Sequence, residues 1–290
     1  MKNSFRISLF ISVAIAFTGC KVFNDPVIVP GYIYIPSYSF ETKPDGTQGD
    51  SVNKITEAWV YSNGNIEGAF AYPVLIPIQK NGPTEIALEP GIVRSGQSAD
   101  RVPYILAQRE YYAVDLKPGK TDTIIPVFNY NPQCSFLLVE DFDNSSGIRL
   151  RKNRSHPNDT IMKFGGPDAR TPGKLSGKVV LFDSTDYFEL VTTDNFSLKP
   201  GDRVFLEMDY NSDVLLRIGF YATPIGEQTR PIPMLYTNAT NGWNRIYIDL
   251  SEEIGVLPAG TIYQPFISVL KEVGSPSPRI WLDNIKIIKF

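Results

Sequence analysis

Histidine is nearly absent from this chain. His156 is the only one in 290 residues. Histidine-cluster metal sites and Ser-His or Cys-His machinery need imidazoles that are not there, so enzymes of those classes are disfavoured. His156 itself sits in RKNRSHPND beside Pro157 and reads as a solvated loop residue. Cysteine is almost as scarce, with only Cys20 and Cys134. With Cys20 engaged elsewhere no intramolecular disulfide can form, and stability must come from core area. Cys134 then reads as a small buried hydrophobe. An excess of positive charge is missing too: 28 basic against 31 acidic residues give −3. That balance leaves no electrostatic footprint for nucleic acid and no polybasic membrane patch. No window shows convincing helical periodicity. Beyond the first twenty residues no run is long and apolar enough to span a bilayer as a helix.

What the chain does have begins at its N-terminus, MKNSFRISLFISVAIAFTGC. Lys2 and Arg6 precede an apolar run from Ile7 to Phe17, and Phe17-Thr18-Gly19-Cys20 closes it, the layout of a secretory signal. The closing residues resemble the bacterial lipobox, with Phe17 where Leu usually stands. The resemblance implies cleavage before Cys20, with residues 1–19 as leader, and lipidation (palmitate among the acyl chains) of Cys20. Residues 20–38 would then be the lipidated cysteine and a tether. Several acyl chains, each gaining about 0.8 kcal/mol per buried CH₂, would hold a water-soluble body at the outer membrane. Lys21 to Asp25 contains a single acid, which points to the periplasmic face while leaving the cell surface open.

About 270 residues remain after the leader, enough for two domains. Lys21 to Tyr38 carries three prolines and a glycine, so it reads as an extended strand or tether rather than a helix. Short strands follow over 55–61, 66–72, 74–77, 84–88, 92–93, 107–116 and 121–128. Asn63-Gly64 marks a hairpin, and Gly82-Pro83, Pro90-Gly91 and Lys117-Pro118-Gly119 act as separators. Such spacing means an all-β sandwich. The stretches AWVYSNGNIEGAFAYPVLIPI, GPTEIALEPGI and YYAVDLKPGKTDTIIPVF resemble the small Ig-like accessory domains of Bacteroidota lipoproteins. They place an Ig-like sandwich over 39–130, with Asn129 to Gln133 as the linker.

A second series starts at Ser135 with SFLLVEDFD. Further strands are expected over 178–182, 188–191, 203–210, 214–221, 243–250, 264–269 and 279–288. A short helix is expected over 251–254, and 143–168 should be a long polar loop. Glu140-Asp141-Phe142-Asp143, then GWNRIYIDL over 242–250, then IWLDNIKI over 280–287 resemble the jelly rolls of galactose-binding-like and carbohydrate-binding modules. The resemblance implies a jelly roll over 131–290 whose first and last strands are neighbours. The fold class is therefore all-β, two sandwiches, Ig-like then jelly roll, behind a lipoprotein signal.

Several residues carry candidate chemistry. Glu140, Asp141, Asp143 and Asp283 stand near strand ends, and hard oxygen ligands of this kind suit a structural Ca²⁺ at about 2.3–2.6 Å. The plainer reading is solvated carboxylates, and nothing defines the paired acids of a glycosidase. Tyr187, Tyr210, Tyr221 and Tyr236 are conceivable sugar platforms, against the ordinary role of strand aromatics in packing. Trp59, Trp243 and Trp281 read as core. Arg149, Arg151, Lys152 and Arg154 would grip an acidic partner or simply face water. Ser51, Thr123, Thr160 and Ser184 follow aspartates in a pattern resembling the Bacteroidota O-glycosylation motif. With no catalytic motif and no required cofactor, two functions stand. One is a lipid-anchored scaffold or accessory subunit of an envelope complex. The other is a glycan-binding lipoprotein that delivers polysaccharide to uptake machinery.

Overall fold

The computed structural model describes residues 29–145 and 147–290; Cys20 and the leader lie outside them. In the first half the strands are β1 (Gly31–Ile35), β2 (Ser39–Glu41), β3 (Glu57–Ser62), β4 (Asn65–Ala71), β5 (Val74–Ile78), β6 (Gly82–Val93), β7 (Arg101–Pro103), β8 (Glu110–Leu116), β9 (Thr121–Thr123) and β10 (Val127–Asn129). In the second half they are β11 (Ser135–Glu140), β12 (Leu150–Arg154), β13 (Thr160–Gly165), β14 (Leu175–Val180), β15 (Tyr187–Thr192), β16 (Phe196–Ser197), β17 (Val204–Ser212), β18 (Arg217–Thr223), β19 (Arg230–Tyr236), β20 (Asn244–Asp249), β21 (Ile262–Leu270) and β22 (Ile280–Lys289). One short helix, α1 (Ser251–Gly255), precedes β21. The protein is an all-β assembly of sandwiches.

The first sandwich sets a five-stranded sheet, β4-β3-β6 with β7 and β8 sharing β6, over the sets β5-β1-β9 and β10-β2. Asn63 and Gly64 both take positive φ, 48° and 78°, which is the mirror-type turn a tight hairpin requires. Several stretches depart from the sequence reading; the strand expected over 121–128 is split into β9 and β10, which join different sheets, and β2 and β7 were not expected. Residues 31–35, assigned to the tether, form the middle strand β1, antiparallel to β5 and parallel to β9. The Pro90-Gly91 separator lies inside β6. Pro90 falls between the segment paired with β8 and the segment paired with β7, where a missing N–H interrupts no ladder on that side.

The second sandwich packs β13-β14-β22-β17-β20, with β11 on β22, against β12-β15-β21-β18-β19, with β16 on β21. Its first and last strands, β11 and β22, pair antiparallel. Alternation sends Leu206, Met208, Ile246, Ile248, Leu282 and Ile285 inward to meet Phe188, Leu190, Ile218, Phe220 and Ile267. The expected loop over 143–168 contains β12 and β13 instead. β12 reads LRKNR with only Leu150 buried, so an edge strand rich in charge lacks the apolar alternation that marks a strand. β19 escaped for a related reason: Pro231 and Pro233 are tolerated because it is an edge strand. Helix α1 forms where expected but has no side-chain cap; the Ser251 hydroxyl instead accepts from Val204 N–H.

The two sandwiches share a buried boundary. The outward residues Phe205, Tyr247 and Ile288 of the second join the core of the first. Beside them Arg245 Nη2 lies 2.5 Å from Glu207 Oε2 and Nη1 lies 3.2 Å from Asp209 Oδ2. Glu207 is fully buried and Arg245 is 4% exposed. From the first half, the hydroxyls of Tyr104 and Tyr130 donate to Glu207. Tyr130 lies in the stretch read as a linker, yet it is buried and part of this cluster. Lys286 Nζ donates to Asp50 O at 2.8 Å and to Tyr130 Oη at 3.3 Å. Tyr247 accepts from Lys54 N–H at 2.7 Å. Burial works against the Arg245 charge, but Asp209 and Glu207 overcome it and hold its pKa well above the usual value.

Two predictions follow from this boundary. Arg245→Leu leaves buried Glu207 without its cation and Asp209 with only Arg170, 3.3 Å away, and should cost about 3–5 kcal/mol in urea unfolding; a loss under about 1 kcal/mol would remove the cluster as the joint. Asp283, 4% exposed, is pushed up to about 7 by burial, against hydrogen bonds from Ser176 and Asn284 N–H and with help from Asp209 and Asp143. Its folded value exceeds the unfolded one, so the folded chain holds the extra proton, and stability falls as pH rises from about 4 to about 7. Asp283→Asn should flatten that fall by at most about 4 kcal/mol in melts taken across the range. An unchanged pH slope would contradict it.

Candidate functional site

The first sandwich covers part of one outer face of the second. Among the described residues the first sandwich leaves the outer face of the opposite sheet uncovered, and that face carries an organised set of polar and aromatic side chains. Alternation sends Phe188, Leu190, Ile218, Phe220, Tyr263, Ile267 and Val269 into the core, so Tyr187, Glu189, Arg217, Tyr221, Gln264, Phe266 and Ser268 face outward. The register then aligns one residue from each of five strands. Arg154 pairs with Glu189, Glu189 with Ser268, Ser268 with Arg217, and Arg217 with Tyr236. At about 4.8 Å per strand this transverse row is roughly 19 Å long.

Glu189 anchors the row and is 1% exposed. Its Oε1 accepts from Asn153 Nδ2 at 2.7 Å and from the Tyr221 hydroxyl at 2.8 Å; its Oε2 accepts from the Tyr187 hydroxyl at 2.5 Å. Asn153 reaches it because a bulge in β12 falls between Lys152 and Arg154. Burial, then the bond to Glu189, pushes Tyr221 up to about 12 and raises Tyr187 as well, so both phenols remain donors near neutral pH. A carboxylate engaged by three donors fixes two tyrosine rings.

Cations and rings alternate around this anchor. The Arg154 guanidinium lies 4.9 Å over Tyr187, and that of Arg217 lies 5.4 Å from the Phe266 ring. Tyr221 tilts against Phe266 at 5.3 Å. Phe266 is itself buried because it lies across Gly219, where an added Cβ would stand 2.7 Å from the ring and 2.3 Å from Ile232 O. Beside the row opens a cleft of about 410 Å³, walled by Tyr187, Leu215, Tyr236 and Leu270, with Arg217 and Ser268 lining it. Among the described residues Arg217 Nε is buried without a hydrogen-bond partner, and Ser268 Oγ is buried with none beyond the Tyr187 hydroxyl. Ser268 Oγ lies beside the Tyr187 hydroxyl, which is turned to Glu189 instead. Tyr236 is 62% exposed at the rim. The groove between the sandwiches is wider, about 650 Å³, but its Arg94 is already paired with Asp100 at 2.8 Å and Asp249 at 3.4 Å.

Of the four candidate tyrosines, three meet on this face: Tyr187, Tyr221 and Tyr236. Tyr210 points into the core, with Asn244 Nδ2 donating to its hydroxyl. Two tryptophans are not core residues as expected. Trp243 is half-buried and donates to Asp168 O at 3.0 Å, and Trp59 is half-buried over Gly91. Trp281 is buried, but on the outer side of its sheet, edge-on to Phe164. Of the candidate calcium carboxylates, Glu140 accepts from Phe142 and Arg149 N–H, Asp143 from Leu175 N–H, and Asp283 from Ser176 Oγ and Asn284 N–H. Among the described residues no group of three or more His, Cys, Asp or Glu is arranged to hold a metal ion.

His156 is not simply solvated; its ring stacks on Phe182 at 4.6 Å. The Cys134 Sγ donates to Leu106 O at 3.4 Å, and burial pushes the thiol up to about 11. The basic run divides its roles. Arg149 pairs with Asp194 at 2.7 Å, Lys152 holds Pro157 O and Asp159 O, and Arg154 joins the row. Ser51, Thr123 and Ser184 are exposed, whereas Thr160 is half-buried in β13. Asp159 of that last motif is buried and bonds Phe182 N–H and Thr185 Oγ. Sequence reading missed Glu189, Arg217, Phe266 and Ser268. The one available signal was a carboxylate, Glu189, at an alternating position inside an apolar strand.

No family model matches the chain, and no curated protein matches it. Solved structures give distant similarities. One, described as a structural basis for the promiscuous specificity of carbohydrate-binding modules of the β-sandwich superfamily, is 13% identical over 91% of this chain and 99% of its own, with a TM-score of 0.42. The CBM22-1 xylan-binding domain of Xyn10C from Paenibacillus barcinonensis is 10% identical over 53% of this chain and 94% of its own, TM-score 0.38. TmCBM61, solved with β-1,4-galactotriose, is 15% identical over 51% of this chain and 92% of its own, TM-score 0.35.

Proposed function

We propose that the second sandwich is a carbohydrate-binding module and that the outer face of its β12-β15-β21-β18-β19 sheet is the binding surface. Of the two functions open from the sequence, scaffold and glycan binder, only the second has a built site behind it. The observation that carries it is the five-strand row with its cleft: rings fixed by Glu189 beside the buried Arg217 Nε and Ser268 Oγ. Sugar rings present apolar faces that stack on aromatics and hydroxyls that bond to fixed polar groups, and sites of this kind place a few polar groups among apolar walls. Glu189, saturated by three donors, favours binding over hydrolysis. Lipidation of Cys20 would place this module at the outer membrane, where a captured polysaccharide could be handed on to an uptake system.

The test is binding of soluble protein from residue 29 onward to a panel of polysaccharides and oligosaccharides by calorimetry. At least one glycan should bind, and Tyr236→Ala should weaken it about tenfold, because the rim ring is 62% exposed and its loss leaves the fold intact. No binding to any glycan, or a Tyr236→Ala protein that binds as well as wild type, would overturn the proposal.

A further inference from the structure

Resting on that reading, we infer that the cleft selects an acidic sugar, with Arg217 and Ser268 receiving a ring carboxylate. Arg217 and Ser268 stand directly opposite one another on β18 and β21. Among the described residues the buried Arg217 Nε has no partner, and Ser268, 1% exposed, has none for its Oγ beyond the Tyr187 hydroxyl beside it. Among the described residues Arg217 forms no ion pair; its only marked contact is the face of Phe266. A guanidinium partly withdrawn from water and left without a counter-ion is costly, and such charges are ordinarily paired. Its planar fork matches a carboxylate with two parallel hydrogen bonds, a geometry that a neutral hydroxyl does not reproduce.

The charges around the cleft agree with an anion. Asp213 lines it but is neutralised by Arg279, whose Nη2 lies 2.8 Å away and whose N–H donates at 2.9 Å. Glu189 is the one carboxylate within the row, and its oxygens are occupied by Tyr187, Tyr221 and Asn153. Arg154 stands beyond Tyr187 at the other end of the row and forms no ion pair among the described residues. Past it, a shallower depression of about 270 Å³ carries the exposed Asp186 beside His156. The row itself therefore holds two cations against one buried, satisfied anion. A chain of sugars laid along it would set one carboxylate over Arg217 and the next rings toward Arg154.

The experiment compares three oligosaccharide classes on wild-type protein: uronate-containing, the same oligomers with their carboxyls reduced to alcohols, and sulfated neutral sugars. The uronate form should bind about ten- to a hundredfold more tightly than its reduced counterpart, as loss of a charge-assisted bond predicts. That advantage should shrink as salt rises, and Arg217→Gln should remove it, lowering affinity for the uronate form about tenfold or more beyond any loss for the reduced form. Equal affinity for uronate and reduced oligomers would overturn the inference and leave the glycan-binding reading in place. A preference for the sulfated sugars over the uronates would also overturn it, because the tetrahedral anion would then be the better fit. Absence of binding to all three classes would overturn the carboxylate inference, and the broader glycan panel would then decide the glycan-binding reading.

Discussion

The architecture depends on one buried arginine and the two carboxylates it holds. Arg245 holds Glu207 and Asp209 on the outward side of the second sandwich, and Tyr104 and Tyr130 of the first close over Glu207. Isolated, either carboxylate would be expensive to bury. Together with Phe205, Tyr247 and Ile288, which enter the core of the first half, they convert a polar sheet face into a dry joint. The cluster does more than tie two domains together. It decides which of the two outer faces of the second sandwich can meet a ligand, because the sheet it occupies is partly covered by the first half.

The remaining sheet is built differently. Among the described residues its outward side carries no buried network reaching the first half. It carries a local one, Glu189 with Tyr187, Tyr221 and Asn153, which stiffens rings without covering them. Gly219 lets Phe266 lie flat against the strands, so the face stays low enough to form a cleft between Leu215, Tyr236 and Leu270. One carboxylate is thus spent on domain docking and another on shaping a surface. The first is matched by an arginine; the second is matched by neutral donors, which leaves the neighbouring Arg217 uncompensated.

What the sequence determined on its own is the β class, much of the punctuation of the strands and the Asn63-Gly64 hairpin, which rest on local chemistry: side-chain alternation and turn residues with positive φ. The pairing of the first and last strands of the second half was implied by a resemblance rather than by local chemistry. The sequence also brought Tyr187, Tyr221 and Tyr236 into view, though without their common face. The edge strands β12 and β19 were hidden because an edge tolerates charge and proline that a central strand does not.

Only the tertiary structure decided the site. Arg154, Glu189, Arg217, Tyr236 and Ser268 come from five strands, and their alignment is set by hydrogen-bond register between segments distant in the chain. A slip of one residue in any pairing would turn that strand's outward residues into the core, so the row exists only once every strand is locked by the packing beneath it. Likewise nothing in the linear order of Arg245, Glu207 and Tyr104 tells which face is covered. Burial and register are properties of the assembled sheets, and it is they that leave Arg217 without an ion-pair partner among the described residues.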